Sequence, residues 1–333
     1  MAAGEPEIPA ECRDDSAAGL RAQLGGRIVV RMEGDATPAL LRQARAGEIG
    51  GVVLFPPAGQ DLDALAAGIE RLQAAAGESG AAPLVIAVDQ EGGEVKRLPS
   101  LPPDVDPPEL AGDADAAEEQ GLATGEALAE LGINVDLAPV LDVPESSDAF
   151  ITSRAFGSSS ETVSESGSAF ARGLESGGVQ GTGKHFPGLG GSETNTDDAA
   201  TQVPAGDLEP FEAAIGEGLG LVMLSNAVHT ELDPRDPAFA SAEIAALLRE
   251  DLGFDGVTIT DDLGAGAVRA RFDRDGAAVA AAGAGTDLFL FALSESPGVL
   301  DALVGAAERG AIEPATLESS CVRVAALRDD LGS

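Results

Sequence analysis

The chain has 333 residues, a formal charge of −37, a pI near 4.1 and 44% hydrophobic residues. Such an excess of carboxylates makes nucleic acid a poor partner, since phosphate neutralisation needs basic surface. No apolar run approaches the roughly 20 residues of a membrane span, and the charge is spread along the chain, as for a solvating surface. The length allows two domains or one large barrel.

The start, Met1-Ala2-Ala3-Gly4, leads into Glu and Pro without the basic and apolar regions of a signal peptide. It reads as a cytoplasmic protein or as a mature exported domain with a new Met. Cys12 and Cys321 are the only cysteines, one near each end. A terminal disulfide, which would favour export, and two unpaired thiols both stay open.

Apolar runs of strand length recur from end to end. They span Arg27–Met32, Gly51–Phe55, Leu84–Asp89, Asn134–Val140, Val179–Phe186, Leu221–Ala227, Gly256–Asp261 and Asp287–Ala292. Helix-period segments separate them: Thr37–Ala46, Leu62–Ala76, Ala114–Leu131, Glu161–Ser176, Pro210–Gly218, Ala242–Leu252 and Asp275–Gly283, with Val299–Glu308 and Ala315–Leu331 closing the chain. Continuously apolar strands are those covered on both faces. Eight such units predict an α/β fold, a single (β/α)8 TIM-type barrel. Residues 1–24 read as an N-terminal arm and 25–333 as the barrel domain, with a long Pro-rich loop after the third strand.

In such a barrel the chemistry sits at the carboxyl ends of the strands. The third strand ends Asp89-Gln90-Glu91-Gly92-Gly93 and continues to Lys96-Arg97. The fourth gives Asp136 and Asp142, followed by Ser153-Arg154. The fifth gives Lys184-His185, the sixth Asn226 and His229, and the seventh Thr260-Asp261-Asp262. Lys96 and Lys184 are the only lysines, and one of the two histidines adjoins Lys184. A strand-end Asp is often a helix N-cap, and an exposed Arg is often a weak surface ion pair. Convergence of five strands on one face is harder to explain by capping.

Metal-ligand spacing, a phosphate loop, a dinucleotide fingerprint and a nucleophile elbow are all missing, so no metal or cofactor is expected. Carboxylates with one Lys, one His and two Arg point instead to sugar chemistry. With no Trp and no Tyr, there is little aromatic platform for a long polysaccharide, which favours small glycans. Oligomeric state is not legible.

The runs Asp89-Gln90-Glu91-Gly92-Gly93, Gly132-Ile133-Asn134-Val135-Asp136-Leu137-Ala138-Pro139-Val140-Leu141-Asp142-Val143, Arg154-Ala155-Phe156-Gly157, Lys184-His185-Phe186-Pro187-Gly188 and Ile259-Thr260-Asp261-Asp262-Leu263 resemble the motifs of glycoside hydrolase family 3. They resemble most its single-domain bacterial β-N-acetylhexosaminidases. The resemblance implies retaining, exo-acting hydrolysis of terminal β-linked N-acetylhexosamine. Asp261 falls on the nucleophile, and Asp89, Arg97, Arg154, Lys184 and His185 fall on sugar-binding positions. Muropeptide-like or chitobiose-like fragments are the expected substrates.

One loop departs from the pattern. Those hexosaminidases place an Asp–His acid/base dyad after the Lys-His-Phe-Pro-Gly run. Here the loop is Leu189-Gly190-Gly191-Ser192-Glu193-Thr194-Asn195-Thr196-Asp197-Asp198, which puts Asn195 and Asp197 at the dyad positions. Asp197 is the first candidate for a substitute acid, with Glu193 second. A catalytically impaired sugar-binding relative is the alternative.

Overall fold

The computed structural model describes residues 8–78, 80, 82–293 and 298–332. Residues 1–7 of the expected arm lie outside them. Eight parallel strands form the central sheet: β1 Ile28–Met32, β2 Gly51–Leu54, β3 Val85–Val88, β4 Val135–Asp136, β5 Gln180–Phe186, β6 Leu221–Leu224, β7 Val257–Thr260 and β8 Phe289–Phe291. Their order is β7-β6-β5-β4-β3-β2-β1-β8. A parallel bridge between Ile259 and Leu288 closes β7 onto β8. The (β/α)8 barrel expected from the spacing of apolar runs is what the chain forms.

The strands are largely apolar because each has two covered faces. Val29, Val53, Val85, Ala87, Val135, Leu137, Leu221, Met223, Val257, Ile259 and Leu290 pack together as the barrel interior. Their neighbours Ile28, Val30, Met32, Val52, Leu54, Ile86 and Val88 join the layer against the helices. Small residues let the helical shell pack closely. A Cβ on Gly121 would stand 2.2 Å from the Phe170 carbonyl oxygen, and one on Gly173 2.3 Å from that of Glu118. Helices Ala114–Ala129 and Ser160–Ser176 therefore meet backbone to backbone.

Helix ends follow local chemistry. Thr37, Asp61, Ser159 and Asp273 each accept an N–H of the first turn, as N-cap side chains do. The expected helix over 242–252 is interrupted. Ala242–Ala246 is α-helical, and Leu247–Asp251 is a π-turn that alternation of apolar residues does not reveal. A helix over Ala17–Gly25 was not anticipated either.

Cys12, in the turn Ala10–Arg13, is disulfide-bonded to Cys321 in helix Pro314–Leu331, with Cα atoms 5.5 Å apart across 309 residues of sequence. This settles the choice between disulfide and free thiols. Cys12→Ser is expected to lower unfolding free energy by about 2–4 kcal/mol. Comparing urea midpoints of wild type and variant, with and without reductant, checks this. A wild type insensitive to reductant would contradict it. No helix among the described residues is long and apolar enough to cross a membrane.

Candidate active site

The carboxyl ends of the strands carry a buried ionic cluster. Lys184, in β5 and 2% exposed, places Nζ 2.9 Å from Asp89 Oδ1 and 2.5 Å from Glu91 Oε1. Arg154, in the turns after β4, grips Glu91 bidentately, with Nε and a terminal nitrogen each donating at 2.8 Å. Burial alone would raise the Glu91 carboxyl, but the Arg154 and Lys184 charges win and hold it down at about 2. Lys184 is likewise raised, its burial outweighed by Asp89 and Glu91. Arg97 sits at the rim. Its Nε is 3.8 Å from Asp89 Oδ2 and its guanidinium lies 4.6 Å over the Phe55 ring.

His185 follows Lys184 through a cis peptide bond. Its Nδ1 is 2.7 Å from Asp142 Oδ2, while Asp142 Oδ1 accepts the N–H groups of His185 and Leu189. Burial opposes ionisation of Asp142, but the His185 ring and these donors hold its carboxyl below the usual range. With Nδ1 fixed in this way, Nε2 is the nitrogen left for a ligand. Asp142→Asn is expected to lower kcat/KM by about 10–100-fold, the equivalent of one charge-assisted hydrogen bond. Unchanged kcat/KM in steady-state kinetics would remove Asp142 from the site.

Asp261 follows β7 and is partly exposed, its Oδ1 accepting the Asp262 N–H at 2.7 Å. Asp262 turns away. It is 4% exposed and accepts N–H groups from Gly264, Ala292 and Leu293, tying β7 to the end of β8. Its burial raises it to about 6.

The loop between β5 and β6 brings in Asp197. This residue is exposed on the loop, yet the surrounding protein and then the charge of Asp261 both raise its carboxyl, with His185 and Arg154 opposing and Asp89 adding. Asp197 therefore lies within electrostatic reach of the nucleophile candidate and of the ionic cluster. Glu193 is exposed on the same loop. Asn195 shapes the turn, its Oδ1 accepting the Asp197 N–H at 3.0 Å.

A domain description, glycosyl hydrolase family 3 N terminal domain, matches residues 26–327. The chain is 32% identical to an uncharacterized secreted glycosyl hydrolase of Arthroderma benhamiae over 94% of each. It is 35% identical to the β-hexosaminidase LpqI of Mycobacterium tuberculosis, over 75% of this chain and 69% of that one. The chain belongs to glycosyl hydrolase family 3. Among solved structures, the family 3 β-N-acetylglucosaminidase of Paenibacillus sp. superposes with a TM-score of 0.88 at 31% identity, covering 94% of this chain. This chain spans 62% of the length of that one. A β-N-acetylhexosaminidase of Beutenbergia cavernae superposes with a TM-score of 0.86 at 34% identity, covering 93% of this chain and 98% of the other.

In this family 3 barrel, Asp89, Arg154 and Lys184 come together in direct ion pairs, with Arg97 at their rim and His185 beside them. Glu91 and Asp142 belong to the strand-end set expected from the sequence, but neither the residues nor the resemblance assigned them a role. The i, i+2 pairing of Asp89 with Glu91 was the available signal for the first. Among the described residues, three other strand-end residues make no ion pair with this cluster. Asp136 is fully buried and accepts the Gln90 N–H at 2.9 Å, with burial raising it to about 8. His229 is buried, held neutral by that burial (about 4), with Nδ1 3.3 Å from the Pro204 carbonyl. Lys96 pairs with Asp104 at 3.7 Å.

Proposed function

We propose that this family 3 protein is a retaining, exo-acting glycoside hydrolase that removes terminal β-linked N-acetylhexosamine from small glycans. In this reading Asp261 is the nucleophile and Asp197 the acid/base. The observation that carries it is a partly exposed Asp261 at the end of β7 together with Asp197, whose carboxyl is raised by the surrounding protein and by the Asp261 charge, beside a cluster of fixed polar groups. The names of the curated and structural relatives, β-hexosaminidase and β-N-acetylglucosaminidase, supply the sugar.

Asp89, Arg97, Arg154, Lys184 and His185 hold the non-reducing sugar through its hydroxyls. Asp261 then attacks the anomeric carbon while Asp197 gives its proton to the departing glycosidic oxygen. The carbon–oxygen bond breaks, the aglycone leaves as the alcohol, and the sugar becomes an ester of Asp261. Esterification removes the Asp261 charge, one of the causes that raise Asp197. Its carboxyl falls just when it must take a proton from the attacking water. Water at the anomeric carbon releases the hemiacetal with retained configuration and regenerates both groups.

The disulfide and the secreted relative favour export, and we place 25–333 as the catalytic domain with the preceding arm stapled to it. A 2-fluoro or comparably slow substrate is expected to label Asp261, located by peptide mass mapping, and label on Asp262 would refute the assignment. The sugar-binding alternative gains from Asn195 and Asp197 at the dyad positions. It predicts no turnover of any aryl β-N-acetylglucosaminide, dinitrophenyl included.

A further inference from the structure

The loop that carries Asp197 is fastened at both ends. On the β4 side, Leu189 donates to Asp142 Oδ1 at 2.7 Å, Glu145 donates to the Gly190 carbonyl at 3.0 Å, and Phe150 donates to the Ser192 carbonyl at 3.0 Å. On the β7 side, the Gly266 N–H donates to the Asp197 carbonyl at 2.7 Å and the Ala267 N–H to the Thr196 carbonyl at 3.0 Å. Ser192 and Thr196 are buried, at 3% and 2% exposure. Only residues 193–195 run between the two anchored stretches.

The β7-side contact depends on the absence of a side chain. A Cβ on Gly266 would stand 2.2 Å from the Asp198 carbonyl oxygen and 2.8 Å from that of Asp197. These are backbone atoms, which cannot rotate aside as a flexible side-chain tip would. The φ of Gly266 lies outside the left-handed region, and the residue opens the helical turn Gly266–Arg269. Backbone conformation therefore admits any residue here, and alanine would favour the turn. Space alone demands glycine.

We propose that Gly266 is a positioning residue: it latches the Asp197 loop to the segment that follows Asp261, so that the two carboxylates keep a fixed separation. The latch ties the acid's own carbonyl to a backbone amide five residues beyond the nucleophile. Acid and nucleophile then move as one unit, and substrate binding need not order the loop. The role rests on the reading of Asp197 as the acid, whereas the latch itself is a contact that can be measured without substrate. Retaining chemistry needs two carboxyls about 5–5.5 Å apart, and an ångström of misplacement can cost about 10²-fold.

Hydrogen exchange of the wild type is the first arm. The Gly266 and Ala267 amides and a peptide spanning 190–198 are expected to be protected as strongly as the flanking helix. Exchange at the rate of an unstructured peptide would overturn the latch. In the second arm, Gly266→Ala should speed exchange of the 190–198 peptide. It should also lower kcat on a β-N-acetylglucosaminide with a poor, alkoxide-like leaving group by about 10–100-fold, with KM nearly constant. The dinitrophenyl glycoside, which needs little protonation, should change severalfold at most. Equal losses on the two substrates would overturn the positioning role, because a general packing defect has no leaving-group dependence. If the alanine variant does not fold, the wild-type exchange still decides. A wild type with a protected loop but no turnover of any glycoside would leave the latch standing and sink the acid reading instead.

Discussion

Asp197→Ala will slow hydrolysis of a β-N-acetylhexosaminide with a poor leaving group by about 10²–10⁴-fold, the usual contribution of a general acid, and will barely affect formation of the glycosyl-enzyme from a dinitrophenyl substrate. The difference follows from where negative charge develops. A dinitrophenolate leaves without a proton, whereas a sugar or alkyl alkoxide does not. Azide, which needs no base to attack, should rescue the second step and give a β-glycosyl azide. The pH profile carries an independent signature. Asp197 is raised by the protein around it and by Asp261, so kcat/KM should fall on the alkaline side as Asp197 loses its proton, above the ordinary carboxylate range. Asp197→Ala should lack that alkaline limb on the poor substrate. Equal losses on both leaving groups, or an alkaline limb that persists in the variant, would hand the role to another group, with Glu193 next in line.

The second large effect lies at the opposite end of the barrel. Asp287→Ala is expected to destabilise the fold by about 3–5 kcal/mol, the cost of removing one partner from a buried ionic group. Asp287 is fully buried just before β8. It accepts from Arg249 in the π-turn, from Arg323 and Ser320 in the C-terminal helix, and from the N–H and hydroxyl of Thr258 in β7. Its removal leaves two guanidiniums, each about one-fifth exposed, without their counter-charge. Burial by itself would raise the Asp287 carboxyl, but the Arg323 and Arg249 charges and hydrogen bonds more than offset it and hold it below the usual range. For a depressed carboxyl the sign is clear. Its stabilisation is complete above the unfolded-state value near 4 and is lost as pH falls through the native one. Urea midpoints at pH 7 and pH 3 should therefore differ more for the wild type than for Asp287→Ala. A variant within 1 kcal/mol of wild type at pH 7 would contradict the assignment.

Where the sequence was legible, the reason was repetition. Predominantly apolar strands, such as Gly51–Leu54, Val85–Val88, Leu221–Leu224 and Phe289–Phe291, recur between helical segments because each faces both barrel interior and helical shell, and a barrel of eight repeats that demand eight times. Val299–Glu308 could be placed to the residue because apolar period and turn residues agree there. The boundaries of β4 could not. Asn134–Val140 reads as one strand, but only Val135–Asp136 is in regular pairing, with an isolated bridge from Val140 to Lys184 beyond it. The π-turn at Leu247–Asp251 escaped because one extra residue per turn barely alters apolar spacing. Within the site, motif order gave the residues proposed to face a sugar. It contained Glu91 and Asp142 but gave no sign that they bind Lys184, Arg154 and His185, nor of Gly266, whose contribution is an absent side chain. Such partners become visible only when loops distant in sequence are folded together.

The bond between Cys12 and Cys321 has a consequence for how the molecule ages. With the two cysteines 309 positions apart in sequence, nearly every peptide bond of the barrel lies inside one covalent ring. A single cut by a protease in any βα loop converts the ring into a linear chain with new ends but releases no fragment. The two halves stay joined through sulfur, and each strand keeps its neighbours. In the secreted setting proposed for it, such a protein could be nicked once and keep its mass on a non-reducing gel, falling apart into two pieces only when the disulfide is reduced.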